Sequence, residues 1–186
     1  MFNEFKITQI AAFFLQKEGG EMFLLKLMKL LYLSERESFA RFECSISGDK
    51  FYSLPHGPVL SRTKELMDGE QKSSPNGWSS WITDKANHKL GLKKNKLNIS
   101  IDKFNELSCS DLEVMEHIWD KYGHMNQWQI RDYTHKHCPE WKDPNGSALP
   151  ITTEELLVAV GKNKEQIALI QEKIKEEEYL DSMFGH

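Results

Sequence analysis

The chain has 186 residues, 24 of them basic and 28 acidic, with a formal net charge of -4 and a hydrophobic share of 39%. That length makes one ordinary domain, which buries roughly 70% of its unfolded surface without staples, and the acidic balance argues against a generic nucleic-acid coat. Cys44, Cys109 and Cys138 form no CxxC pair and leave an odd one over, so neither a disulfide framework nor a four-cysteine zinc site is indicated, and a reducing, cytoplasmic setting is expected.

Helical spacing opens the chain. Ile7, Ile10, Ala11, Phe14 and Leu15 recur at the three-and-four interval of one helix face, and Gly19-Gly20 ends the segment. Glu4 and Lys6 precede this apolar centre and no small-residue cleavage site follows it, so it does not read as a secretory leader. No later run approaches the roughly 18 apolar residues of a membrane span. Residues 22–42 predict a second helix that is apolar nearly all round, through Leu24, Leu25, Leu27, Met28, Leu30, Leu31, Tyr32, Phe39 and Phe42. Its polar residues Lys26, Lys29, Arg36 and Glu37 share one narrow stripe, the pattern of a helix at the centre of a helical domain. Residues 50–54 are short and aromatic enough for a strand. Pro58 then suits the first position of a helix, with Gly57 as its cap, Gly69 at its end and Val59, Thr63, Leu66 and Met67 as its apolar face.

Residues 73–98 read as non-helical, with a turn signal at Pro75-Asn76-Gly77 and two hairpin arms at residues 78–83 and 89–96. Ser110 with Glu113 reads as a capping box for a helix through Leu112, Met115, Ile118 and Trp119, closed by Gly123. Asn126 with Gln129 opens another, which runs to about His137 before Pro139 prevents continuation. Past a loop at residues 143–146, Thr152 with Glu155 opens a short helix to about Val160. Residues 164–180 then form a long charged helix seamed by Ile167, Ile170 and Ile174. The expected fold class is mostly α-helical (α+β), a compact helical domain with a small antiparallel β-hairpin element and a long C-terminal helix.

Chemistry is harder to find. The tightest histidine group, His135-Lys136-His137-Cys138 with His117 and His124 upstream, does not make a metal site. Residues two apart on a helix point about 200 degrees apart, and neither HExxH nor CxxC…HxxxH is present. Cys109 lies near a helix start, where a thiol pKa falls, but no base accompanies it. There is no GxxxxGK[ST], no GxGxxG after a strand and no pair of carboxylates that spacing alone brings together. No enzymatic activity, metal or cofactor is therefore expected. Lys85, Lys89, Lys93, Lys94 and Lys96 beside Trp78 and Trp81 combine the charges and rings that bind nucleic acid. Lysines that guard an exposed hairpin edge against aggregation account for the same pattern and are preferred, which disfavours nucleic acid and leaves an acidic protein partner open. After Glu176-Glu177-Glu178, the end Tyr179-Leu180-Asp181-Ser182-Met183-Phe184 is apolar enough to be a contact site.

Lys29-Leu30-Leu31-Tyr32, then Phe51 and Gly57-Pro58-Val59, then Thr134-His135 followed by Pro139 and Trp141 form an ordered set. It resembles the Panacea domain of the SocA-like antitoxin family, which also includes phage-associated proteins, over roughly residues 5–145. The resemblance implies a mostly helical domain with a small β element; residues 1–150 are expected to form it, and residues 151–186, beyond the resemblance, to form a C-terminal helical extension packed on the same domain. It further implies direct binding and neutralisation of a cognate toxin; the alternative is an adaptor or phage regulatory protein that delivers a client to an ATP-dependent protease. The chain departs from the family where Leu54 replaces a usual aromatic and Leu60-Ser61 replaces a common proline. Lys29, Tyr32, Gly57, Pro58, Val59, His135 and Trp141 match family positions, and Phe51 and His56 accompany them. A scaffold role is expected for this set: Tyr32 buried with its hydroxyl paired, Trp141 anchoring a loop, His135 bonding a carbonyl or capping a dipole, and His56 bracing a strand-to-helix corner or lining a groove. Partner contact is expected instead on exposed parts, at Trp78, Trp81, Lys85, Lys89 and Lys93 of the hairpin and at Tyr179, Met183 and Phe184 of the last helix.

Overall fold

The computed structural model describes residues 1–184. Helix α1 (Glu4–Lys17) starts where Asn3 Oδ1 accepts the Lys6 N–H at 2.9 Å and stops at Gly19-Gly20, both at positive φ. Strand β1 (Glu21–Phe23) leads straight into α2 (Leu24–Phe42). Helix α2 is the axis of the fold, packed against α1, α5 (Cys109–Tyr122) and α6 (Gln127–His137). Leu27, Leu30, Leu31 and Tyr32 are sealed from solvent, as a helix apolar nearly all round requires. Its polar stripe is half withdrawn from water, with Arg36 and Glu37 partly exposed. Lys26 and Lys29 are buried because each ammonium has found oxygen: Lys26 donates to Glu18 and, at 2.8 Å, to the Gly123 carbonyl, and Lys29 donates to the Pro58 carbonyl at 2.6 Å.

Strand β2 (Phe51–Leu54) pairs antiparallel with β3 (Gly57–Leu60) on one side and β5 (Leu149–Ile151) on the other, and β1 pairs with β4 (Lys89–Gly91) in a separate two-stranded sheet. The helix expected to begin at Pro58 is a correction. Pro55-His56 make the two-residue turn of a hairpin, with Leu54 opposite Gly57 and Gly57 at φ +96°, a conformation open to glycine. Pro58 lies on an edge strand, where a missing N–H is tolerated, so His56 sits at a hairpin tip and not at a strand-to-helix corner. Helix α3 (Ser61–Asp68) begins only after β3. Its free N–H groups are capped by Asp49, whose carboxylate accepts from the Arg62 and Thr63 amides and the Thr63 hydroxyl at 2.9, 2.8 and 2.7 Å.

The hairpin expected over residues 78–83 and 89–96 is also redrawn. Its first arm winds into the one-turn helix α4 (Trp78–Trp81), where Glu4 accepts the Trp78 N–H at 2.9 Å. The chain doubles back only at the isolated bridges Ile82–Leu92 and Ala86–Lys89, β4 takes β1 as its partner, and Lys94–Lys96 is a 3-10 turn. The cap of α5 is Ser108 with Asp111, two positions before the expected box. The boxes at Asn126 and Thr152 open α6 and α7 (Thr153–Ala159) as expected. Helix α8 (Lys164–Phe184) runs past the expected end at residue 180. The short strands β1 and β5 were not legible from spacing. The fold is mostly helical α+β, with small antiparallel sheets and a long C-terminal helix. No described helix is long and apolar enough to cross a membrane.

Candidate functional site

The tip of the β2–β3 hairpin is clasped between α2 and the end of α6 by the residues that carry the sequence motifs. Lys29 reaches from α2 to the Pro58 carbonyl. A Cβ at position 57 would lie 2.9 Å from both Lys29 Nζ and Thr134 Oγ1, so glycine is what lets the strand approach both helices. Beneath, the Tyr32 ring meets Phe51 edge-on at 6.1 Å. The Tyr32 hydroxyl donates to Glu140 Oε1 at 2.7 Å, and that oxygen also accepts from Arg36 Nε at 2.8 Å. Across the hairpin, Trp141 Nε1 donates to the Leu54 carbonyl at 3.0 Å, and its indole stacks on His135 with the rings 4.0 Å apart and 7° from parallel.

Burial dominates the electrostatics here. It pulls the Lys29 pKa down to about 7. The thiolate of Cys138 would oppose that shift, but burial and Glu140 push this thiol up to about 12, leaving it neutral and Lys29 without an anion beside it. His135 is held below its ordinary value by burial and by Lys29, and its Nε2 is buried with no hydrogen-bond partner. The Tyr32 phenol is raised well above its usual range by burial and Glu140. A lysine that titrates near neutrality is a familiar catalytic device; here Lys29 is 0% exposed and its ammonium is held by the Pro58 carbonyl.

Beside the clasp, the β1–α2 junction, the hairpin tip and the start of α6 enclose a groove of about 540 Å³, a volume usual for binding pockets. Its walls are apolar: Phe23, Leu24, Leu25, Met28, Leu54, Pro55, Val59 and Trp128. Its rim carries His56, Lys64, Lys85, His88 and Gln127, and no Asp or Glu lines it. Lys64 and Lys85 share a single carboxylate, Asp68, which leaves excess positive charge at that edge. Phe23 is 38% and Trp128 51% exposed, and each ring carries a cation, Lys89 Nζ 5.1 Å from the centre of Phe23 and the Arg131 guanidinium 5.0 Å from that of Trp128.

The expected contact residues are scattered. Trp78, expected on an exposed arm, is buried because α4 turns it into the core, which removes it from any contact surface. Trp81 is half-buried against Phe104, with the Lys96 ammonium 3.9 Å from its ring centre. Lys89 pairs with Glu21 at 2.7 Å, Lys93 is exposed and unconnected to the groove, and only Lys85 of this group lines it. Tyr179, Met183 and Phe184 are exposed on α8. The motif residues Lys29, Val59 and His56 border the groove, whereas Tyr32, Phe51 and Trp141 lie in the clasp behind it. Sequence reasoning missed Phe23, Leu24, Leu25 and Trp128 as surface residues. One signal was available: Trp128 stands about 200 degrees around α6 from the buried Ile130.

His135 and His137 stack on different aromatics, Trp141 and Tyr133, and among the described residues no three His, Cys, Asp or Glu side chains are grouped to hold a metal ion. No curated protein and no solved structure matches the chain. The family model for the antitoxin SocA-like, Panacea domain matches residues 27–142. That span runs from the start of α2 to the loop after Trp141 and contains every residue of the clasp, while α1, α7 and α8 fall outside it. With most of its length matched and the motif residues assembled around one hairpin, the chain belongs to the SocA-like antitoxin family that carries the Panacea domain.

Proposed function

We propose that this protein is an antitoxin that neutralises a cognate toxin by direct protein contact, without catalysing a reaction, and that the groove beside the hairpin is its contact surface. Family membership supports the antitoxin role. The observation that carries the choice of surface is the coincidence of half-exposed Phe23 and Trp128 with an apolar floor and a rim free of carboxylates, in a chain whose net charge is negative. Desolvated aromatic anchors of this kind concentrate binding energy, and the basic rim selects a partner with acidic edges. A binding role also fits the chemistry of the clasp, where Lys29 is sealed and the Cys138 thiol stays protonated.

Co-expression with the protein encoded by the neighbouring reading frame tests this. Growth arrest by the neighbour alone, relief on co-expression and joint purification are expected. A neighbour that is harmless alone and does not copurify would refute the reading.

A further inference from the structure

Helix α8 has two faces. Taking about 100 degrees per residue, Ile167, Ile170 and Ile174 share the side that packs on the fold, while Leu169, Leu180, Met183 and Phe184, with Tyr179 at the edge, share the opposite side. Ile167 and Ile170 are buried, whereas Leu169, Tyr179, Leu180, Met183 and Phe184 are all more than half exposed. Glu172 and Glu176 lie on that exposed side, and Glu177 borders it. Past residue 174 an ion pair, from the Met1 amine to Asp181 at 3.0 Å, ties the helix to the start of the chain. The surface is thus apolar and aromatic, with Glu172 and Glu176 as acidic groups and one basic group, Lys173, which pairs with Glu177 at 4.0 Å, and its apolar side chains are open to solvent.

The groove is its complement: apolar and aromatic, with a basic rim and no acidic lining. The two surfaces lie apart within the molecule. The groove lies at the first turn of α2. Helix α8 enters beside the second half of α2, where Arg36 donates to the Ala159 carbonyl and Lys162 pairs with Glu43. It finishes near the loop after α2, since Met1 is held there by the neighbouring Asn3–Ser47 main-chain bond. The groove reaches along α2 as far as Lys29, and from there to Phe42, where α2 ends, the helix rises about 20 Å.

We propose that the exposed face of α8 docks in the groove of a second copy of this chain, forming a dimer in which the contact is made twice about a two-fold axis. Complementary patches that lie apart on one molecule suit such a reciprocal exchange. The acidic side chains Glu172, Glu176 and Glu177 meet the rim formed by Lys64, Lys85, His56 and His88, and Leu180, Met183 and Phe184 cover Phe23 and Trp128. The inference needs only this chain; a toxin seated in the same groove would displace α8, so the dimer and the toxin complex exclude one another.

Sedimentation velocity of the full chain, from low to high micromolar concentration and at low and high salt, tests it. A reversible dimer that weakens with salt is expected. Trp128→Ala and Phe184→Ala should each weaken it by at least about tenfold, with circular dichroism unchanged. Glu176→Lys should also weaken it, and adding Lys85→Glu should restore association, because reversing both charges rebuilds the pair. A protein that is monomeric throughout would overturn the proposal. So would a dimer lost with Phe184→Ala but indifferent to Trp128→Ala and to the charge exchange, which would mean that α8 pairs with α8.

Discussion

Replacing Lys29 by methionine keeps an unbranched apolar stem of similar reach and removes the ammonium, so it isolates the cost of burying that group. Lys29 loses its pKa from 10.5 to about 7 on folding. Between those values the unfolded chain binds nearly one more proton at Lys29 than the folded chain does. Wild-type stability therefore rises with pH across this window, by up to about 1.4 kcal/mol per unit. The sign is that of a depressed lysine: the penalty is complete below about pH 7 and disappears as pH passes the unfolded value. From pH 7 to pH 9 Lys29 should contribute about 2 kcal/mol of added stability, allowing for half-titration at the lower end. Lys29→Met removes this dependence and leaves the Pro58 carbonyl without its donor, a pH-independent loss of about 1–3 kcal/mol. Urea unfolding of both proteins at pH 7 and pH 9 reads the difference, because other titrating groups are common to both and cancel. The stability of the variant relative to wild type should fall by about 2 kcal/mol between the two pH values. A relative stability that stays constant would refute the account, since it would mean that folding does not change the proton occupancy of Lys29.

Gly57→Ala should destabilise the fold by about 2 kcal/mol, because the new methyl meets Lys29 Nζ and Thr134 Oγ1 at 2.9 Å on a backbone at φ +96°. A thermal midpoint equal to wild type would show that the hairpin does not lie so close to α2 and α6. Asp49→Ala should cost about 2 kcal/mol and speed amide exchange at Arg62 and Thr63, whose N–H groups it caps; unchanged exchange there would count against it. Glu35 accepts from the Ser45 hydroxyl and the Ile46 and Ser47 amides. Glu35→Gln turns an NH2 group toward donors and should cost about 1–3 kcal/mol in urea unfolding, so a neutral result would be contrary.

These carboxylates also explain what the sequence hid. Helix periodicity and adjacent capping boxes are local signals, so α1, α2, α6 and α7 were legible from Asn126, Thr152 and the apolar spacing alone. The starts of α3 and α4 depend on Asp49 and Glu4, which come from elsewhere in the chain. With no cap written beside them, Pro58 reads as a helix start and residues 78–81 as a strand. Burial of Lys29 was equally unreadable, since it rests on one carbonyl brought from the hairpin. The motif residues could be gathered by resemblance. The groove could not, because Phe23 and Leu24 sit in a run whose other apolar members are core, and only the meeting of β1, β3 and α6 leaves them on the surface.

The central claim is that the groove binds the toxin, and calorimetric titration of the purified neighbour-encoded toxin into wild type and Trp128→Ala tests it most directly. Saturable binding by wild type and a loss of about 30-fold or more in the variant, at an unchanged thermal midpoint, is the predicted result. Equal affinity for the two proteins would contradict it.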